Sequence, residues 1–394
     1  MQRFTLVPMI LWCVFGTTHG TNAQSPELIG VGEFPATMPD RSGLTGHLEN
    51  GEPHNRMGGI SAIEYLGHDD QYLAMADRGP DDGATAYQCR VHRISIHIDP
   101  LSKEPVRLQL LGSDRLVDCR GCCFVGDATA ITESTEFGHR LDPEGLRMVG
   151  TDQFLVCEEY GPKILRFNHE GKSIDSIPVP SAFCIAKPAG TKNEENLNNE
   201  SGRASNKGLE GLAISPDGST ITCVMQNVML QDGQRDETGA PHGQYCRMLQ
   251  IDLESGQTSQ FVYRLDHPDN VLSEILAISA TEFLVIERDY KAGEEAVCKH
   301  IKRIDLAGAT DISGLDRLPP SDMPEDIHPV RKTTYLDMLD PRYGIGGVRM
   351  PEKLEGLTFG PDLSDGRKTL LIASDNDFNL ENASFIYVFA CTFQ

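Results

Sequence analysis

The sequence predicts an all-β chain folded as a single β-propeller of antiparallel four-stranded sheets. Three observations carry that reading: a recurring Glu-Gly-Leu triplet, a pair of apolar runs at each copy, and no long amphipathic helix between copies. The triplet stands in "DPEGLRMVG" from Asp142, "GLEGLAISPDG" from Gly208 and "KLEGLTFGPD" from Lys353. Two weaker copies are "MGGISAIEYLG" from Met57 and "LSEILAIS" from Leu272.

Each copy opens a strand, a short turn follows, and a second apolar run ends in polar or acidic residues. The second runs are "YLAMADRGP" to Pro80, "FLVCEEYGP" to Pro162, "TITCVMQN" to Asn227, "FLVIERDY" to Tyr290 and "LLIASDNDF" to Phe378. One turn reads Ser-Pro-Asp-Gly, from Ser215 to Gly218, as hairpins favour. A third strand recurs in "CRVHRISI" from Cys89, "CRMLQIDL" from Cys246, "CKHIKRIDL" from Cys298 and the cysteine-free "PKILRFNHEG" from Pro162. Counted from Gly58, Asp142, Gly208, Leu272 and Lys353, the copies start 84, 66, 64 and 81 residues apart, more than the roughly 40–50 residues of a bare blade. Five repeats are countable and six blades are expected, the sixth hidden around residues 100–140 or shared between the termini. The polar stretches from Ala189 to Lys207 and around Leu318 read as inserted loops.

Residues 1–23 have the pattern of a signal peptide, with Arg3 before an apolar run and small residues ahead of a cut after Ala23. The run is shorter than the roughly 20 apolar residues that span a bilayer. Residues 24–394 are then one exported domain, secreted or periplasmic, with no membrane insertion once the leader is cut. A formal net charge of −23 repels nucleic acid and anionic membranes and suits cations. The expected partner is a small molecule, and a monomer is expected. Cys13 lies in the leader, which leaves ten cysteines, an even number that favours disulfides in an exported protein. "CRGCC" at Cys119 lacks the second ligand pair of a zinc site.

A hairpin places the start of its first strand beside the end of its second. Glu144 thus lies near Glu158 and Glu159, Glu210 near Gln226, Glu274 near Glu287, and Glu355 near Asp375 and Asp377. If these are the inner strands, the acids gather at one mouth of the central channel, where crowded carboxylates must be protonated or neutralised by cations. The glycine after each glutamate allows close backbone approach at the axis. A ring of Glu and Asp also supplies the oxygens that Ca²⁺ takes. The sequence has no Gly-x-Ser-x-Gly elbow, no His-Glu-x-x-His and no Walker loop.

The ordered set "GGISAIEY…MADRG", "DPEGL…FLVCEE", "GLEGLAISPDG", "LSEILAI…FLVIERD" and "KLEGLTFGPD…LLIASDND" resembles the esterase-like phytase family, over most of the mature chain. The resemblance implies a metal-dependent phosphoric-ester hydrolase, with calcium as the expected metal. Carried onto this chain, it points to Asp77, Arg78, Glu144, Glu158, Glu210, Glu287, Arg288, Glu355, Asp375 and Asp377. Among these, Glu158, Glu287, Arg288 and Arg78 are the expected catalytic groups, the arginines as a phosphate clamp. Asp77, Glu144, Glu210, Glu274, Glu355, Asp375 and Asp377 are the expected metal ligands. Gln226 departs from the pattern, standing where a charged ligand is expected. The alternatives are a metal-dependent lactonase-type propeller, or a calcium-stabilised propeller that only binds. Arginines 78 and 288 directed into the channel would favour the phosphate reading.

Overall fold

The computed structural model describes residues 25–131 and 139–393, so the expected signal peptide lies outside the described residues. Five four-stranded antiparallel sheets form the fold. Blade I comprises Ile60–Tyr65, Gln71–Ala76, Arg90–Ile98 and Val106–Arg115. Blade II comprises Pro143–Val149, Gln153–Glu158, Lys163–Asn168 and Ser173–Ile177. Blade III comprises Leu209–Ile214, Thr220–Met225, Tyr245–Asp252 and Thr258–Arg264. Blade IV comprises Val271–Ala277, Glu282–Arg288, Lys299–Asp305 and Arg331–Asp337. Blade V comprises Lys353–Phe359, Lys368–Asp375 and Ser384–Cys391, completed by Glu27–Phe34 as its outer strand. The chain start therefore closes the ring by pairing with the chain end.

The repeat reading is borne out for all five inner hairpins, and the inner strands pack against one another around the axis. The described residues hold five such sheets rather than six. Val106–Arg115, in the region suspected of hiding a blade, is the outer strand of blade I. The blade shared between the termini exists, but it is the one that begins at Lys353. The surplus length lies in connections, including a short helix Lys192–Asn198 and a hairpin pairing Gln234–Arg235 with Pro241–His242.

The core is a set of slabs between neighbouring blades. Leu146, Phe154 and Val156 of blade II pack on Ala62, Leu73 and Met75 of blade I. Blades II and III meet through Leu155, Ile164, Leu212 and Ile221, and blades III and IV through Val224, Met248, Ile275 and Val285. Leu284 and Ile301 meet Leu357 and Ile372 between IV and V, and Ile63 and Ile94 meet Leu371 and Ile386 between V and I. Both faces of each sheet are covered, which is why the strands read as apolar runs rather than alternating ones. None of the ten cysteines among the described residues is paired, contrary to the disulfides expected from their even number. Six of them, Cys89, Cys157, Cys223, Cys246, Cys298 and Cys391, are buried as small apolar fillers.

Every inner strand carries a β-bulge at its repeat motif, between Ile60 and Ala62, Pro143 and Leu146, Leu209 and Gly211, Leu272 and Ile275, and Leu354 and Gly356. A bulge leaves a residue unpaired and re-aims its side chain. The glycines answer to their neighbours. A Cβ on Gly145 would stand 2.7 Å from the backbone nitrogen of Leu212 in blade III, and one on Gly211 would stand 2.7 Å from Cα of Glu274 in blade IV. The inner strands approach too closely there for any side chain.

Candidate metal centre at the channel mouth

The bulges put the five blades in a common frame. The first unpaired positions are Ser61, Glu144, Glu210, Ser273 and Glu355, in blades I to V, and in blades II and IV Gly145 and Glu274 are unpaired as well. The residues at the ends of the second strands, by the same pairing, are Asp77, Glu159, Gln226, Arg288 and Asp375. Most of these ten residues line or back one cavity of about 410 Å³ at the mouth. Its walls include Asp77, Arg78, Glu144, Glu159, Lys207, Glu210, Arg288, Tyr290, Lys353, Glu355 and Asp377.

Two groups of acids bring oxygens within 4.8 Å of one another: Asp77 with Asp375 and Asp377, and Asp142 with Glu144 and Glu159. In the first, Lys353 Nζ is 2.9 Å from Asp375 and also pairs with Asp377. Burial pushes Asp77 well above the usual carboxylate range, and Asp375 adds to it. Burial and the Asp375 charge push Asp377 up to about 7. Burial also raises Asp375, but the Lys353 ammonium outweighs it and the carboxyl lies below its ordinary value. In the second group Arg78 pairs with Asp142 and Asp82 and stands 3.8 Å from Glu159. Glu144 is held well above its ordinary value by burial and then by Glu210 and Asp142. Glu210 is raised likewise, by burial and then by Glu159 and Glu355.

Glu210 bears most directly on a metal. It is 3% exposed and accepts from the Gln226 amide through Oε1, while Oε2 is buried with no hydrogen-bond partner. A buried carboxylate oxygen without a donor is costly, and a divalent cation shared with the neighbouring Glu144 and Glu159 would satisfy it. The residues present therefore fit calcium, whose ligands are oxygens.

Across the mouth the charge reverses. Arg288 donates to Ser273 Oγ at 2.8 Å and to Glu355 Oε1 at 2.8 Å, and its guanidinium lies 5.6 Å from the Tyr290 ring centre. Lys207 bonds to the Gln226 side-chain oxygen and the Tyr290 hydroxyl, 4.7 Å over that ring. Below the mouth, Arg147 of blade II spans the axis. It donates to the carbonyls of Ile275 in blade IV at 2.8 Å and Leu357 in blade V at 3.0 Å.

The sequence matches the Phytase-like family, described as esterase-like activity of phytase, over residues 55–378. The chain belongs to that family. A secreted, uncharacterized protein of Arthroderma benhamiae is 29% identical over 189 residues, a stretch that covers 40% of this phytase-like chain and 36% of the fungal protein. The β-propeller domain of Myceliophteria thermophila Cps50 (Swd1) aligns over 86% of this chain and 98% of its own, at 13% identity and a TM-score of 0.34.

Of the residues singled out in the phytase-like sequence, Asp77, Arg78, Glu144, Glu210, Arg288, Glu355 and Asp377 line the cavity, and Asp375 backs it. Glu158, Glu287 and Glu274 do not line it. Glu158 faces its own turn, where it accepts from the backbone nitrogens of Tyr160 at 2.9 Å and Gly161 at 2.7 Å. Glu287 is buried between blades and accepts from Tyr263, Asn270 and Lys332 at 2.7, 2.9 and 2.8 Å. Glu274 occupies the glycine position of its repeat, because Ser273 is the residue equivalent to the repeat glutamate. It turns down the channel to Leu212 N at 3.0 Å and Arg147 at 3.2 Å. Sequence reasoning placed Glu159 among the mouth acids without a ligand or catalytic role, and gave no place at the site to Asp142, Lys207, Tyr290 or Lys353. Glu159 was recoverable from the pairing, since it follows the residue opposite Pro143. Lys207 comes from an inserted loop and had no repeat signal.

Proposed function

We propose that this phytase-like chain is an exported phosphoric-ester hydrolase acting at the channel mouth. The observation that carries the reading is the division of one cavity between the cation-seeking carboxylates Glu144, Glu159 and Glu210 and the anion-seeking Arg288 and Lys207. A phosphate ester needs both, a cation to neutralise its charge and fixed donors to orient it. Both arginines picked as the phosphate clamp line the cavity, each set by neighbouring acids or hydroxyls. Arg78 is the more fully engaged, between Asp142 and Asp82.

Glu144, Glu159 and Glu210 would hold Ca²⁺, with Asp142 behind them. Bound there, calcium supplies positive charge to phosphate oxygens and lowers the pKa of water. Arg288 binds the phosphate and meets the charge that develops on it. Ser273 and Glu355 hold its guanidinium in place, so little reorganisation is needed during reaction. Lys207 adds a second donor, positioned by Gln226 and Tyr290. The surplus carboxylates at the mouth supply an acceptor for the proton of the attacking water.

The test is phosphate release by chelator-stripped mature protein from phosphomonoesters, phosphodiesters and inositol phosphates, with and without added calcium. Calcium is expected to restore turnover, Glu210→Gln to abolish that restoration, and Arg288→Ala to lower kcat by about 10²–10³-fold. Full activity in Arg288→Ala removes the phosphate role from that residue. No turnover on any ester, with a calcium-dependent rise in melting temperature, identifies a binding propeller in which the metal is structural.

A further inference from the structure

The two acid groups at the mouth are built alike and supplied differently. The Asp77, Asp375 and Asp377 group already contains a cation, the Lys353 ammonium, bonded to two of its three carboxylates. Lys353 immediately precedes the bulge pair of blade V, where blade II has Asp142 and blade III has Gly208. One blade thus places an ammonium where another places an acid. In the other group Arg78 engages Asp142 and stands 3.8 Å from Glu159, but no ammonium sits among the glutamates, and Glu210 Oε2 is buried without a donor.

We propose that the Lys353 ammonium takes the place of a metal ion in the Asp77, Asp375 and Asp377 group, so that the mouth holds its divalent cation on Glu144, Glu159 and Glu210 alone. The proposal rests on the metal-holding half of the function above and is independent of whether an ester is cleaved. A lysine has one charge, three donors and a tether, so it cannot be drawn out by a chelator or exchanged for another ion. Two of those donors are directed to Asp375 and Asp377, and the lysine also lines the cavity. A bound anion would then rest between an exchangeable cation on the blade II–III side and a permanent one on the blade V side.

Equilibrium dialysis of stripped protein against calcium, without substrate, tests this directly. Lys353→Met keeps the aliphatic stem and removes the charge, and it is expected to bind one more calcium ion per chain than the wild type. In the wild-type background, Glu210→Gln is expected to bind one fewer, while Asp375→Asn with Asp377→Asn leaves the number unchanged. Equal stoichiometry in the wild type and in folded Lys353→Met overturns the proposal. So does loss of an ion in the double Asp variant, a measurement that stands even if Lys353→Met fails to fold. Because no turnover is measured, inactivity toward every ester would sink the hydrolase reading and leave this result intact.

Discussion

Successive residues on a strand face opposite sides, and at the end of each second strand that parity separates a channel residue from an inter-blade one. Glu159 and Arg288 reach the mouth, while their immediate neighbours turn away from it, Glu158 to its own turn and Glu287 into the packing between blades. The two kinds of carboxylate should respond differently to mutation. Glu287→Ala strands Lys332, Asn270 and the Tyr263 hydroxyl in a buried site, and it is expected to cost about 3–5 kcal/mol in urea unfolding. Calcium affinity should be unchanged in that variant. Glu159→Gln should do the reverse, weakening calcium with little loss of stability. A fall in calcium affinity in folded Glu287→Ala would count against this division.

At the scale of the strand, the bulge is the device that turns a repeat into a site. The triplets made the inner hairpins and their common mouth legible in the sequence, and the second and third strands followed from their apolar runs. The one-residue phase of blade IV was not legible. "LSEIL" and "LEGLA" both contain a glutamate, and only the register shift shows that Ser273, not Glu274, matches Glu210. The blade count was hidden for another reason, since inserted connections stretched the repeat intervals beyond a blade's length. Lys207 comes from such a connection, which carries no periodic signal, and Tyr290 stands two residues past its second strand. The glycines, in contrast, were correctly read as sites of close approach. Gly211→Val would drive a side chain into the Glu274 backbone of the adjacent inner strand. It is expected to lower stability by about 1–3 kcal/mol, measured as a shifted urea midpoint, and to disturb the Glu210 carboxylate beside it. An unshifted midpoint would show that the strands can part at no cost.

For the whole molecule, the buried charges of the channel tie stability to pH. Burial lifts Glu274 from an ordinary 4.5 to about 8, against the opposing pull of Arg147, with Glu64 facing it as a further acid. Between those values the folded chain holds a proton that the unfolded chain has released, so stability is highest below pH 4.5 for this group and falls as pH rises toward 8. The span corresponds to about 5 kcal/mol at roughly 1.4 kcal/mol per unit. In chelator, the melting temperature of the wild type should fall from pH 5 to pH 8, and Glu274→Gln should flatten that slope. An equally steep slope in the variant would assign the effect to the mouth acids instead. Arg147, which meets Glu274 there, also ties blade II to the carbonyls of blades IV and V. It lays a buried cross-brace beneath the mouth, between three blades. Under the proposed hydrolase reading, an ester approaching from that mouth would present a protruding group end-on and leave past the residues that admitted it. On that reading, long or branched esters would be trimmed from their tips and not cut through the middle.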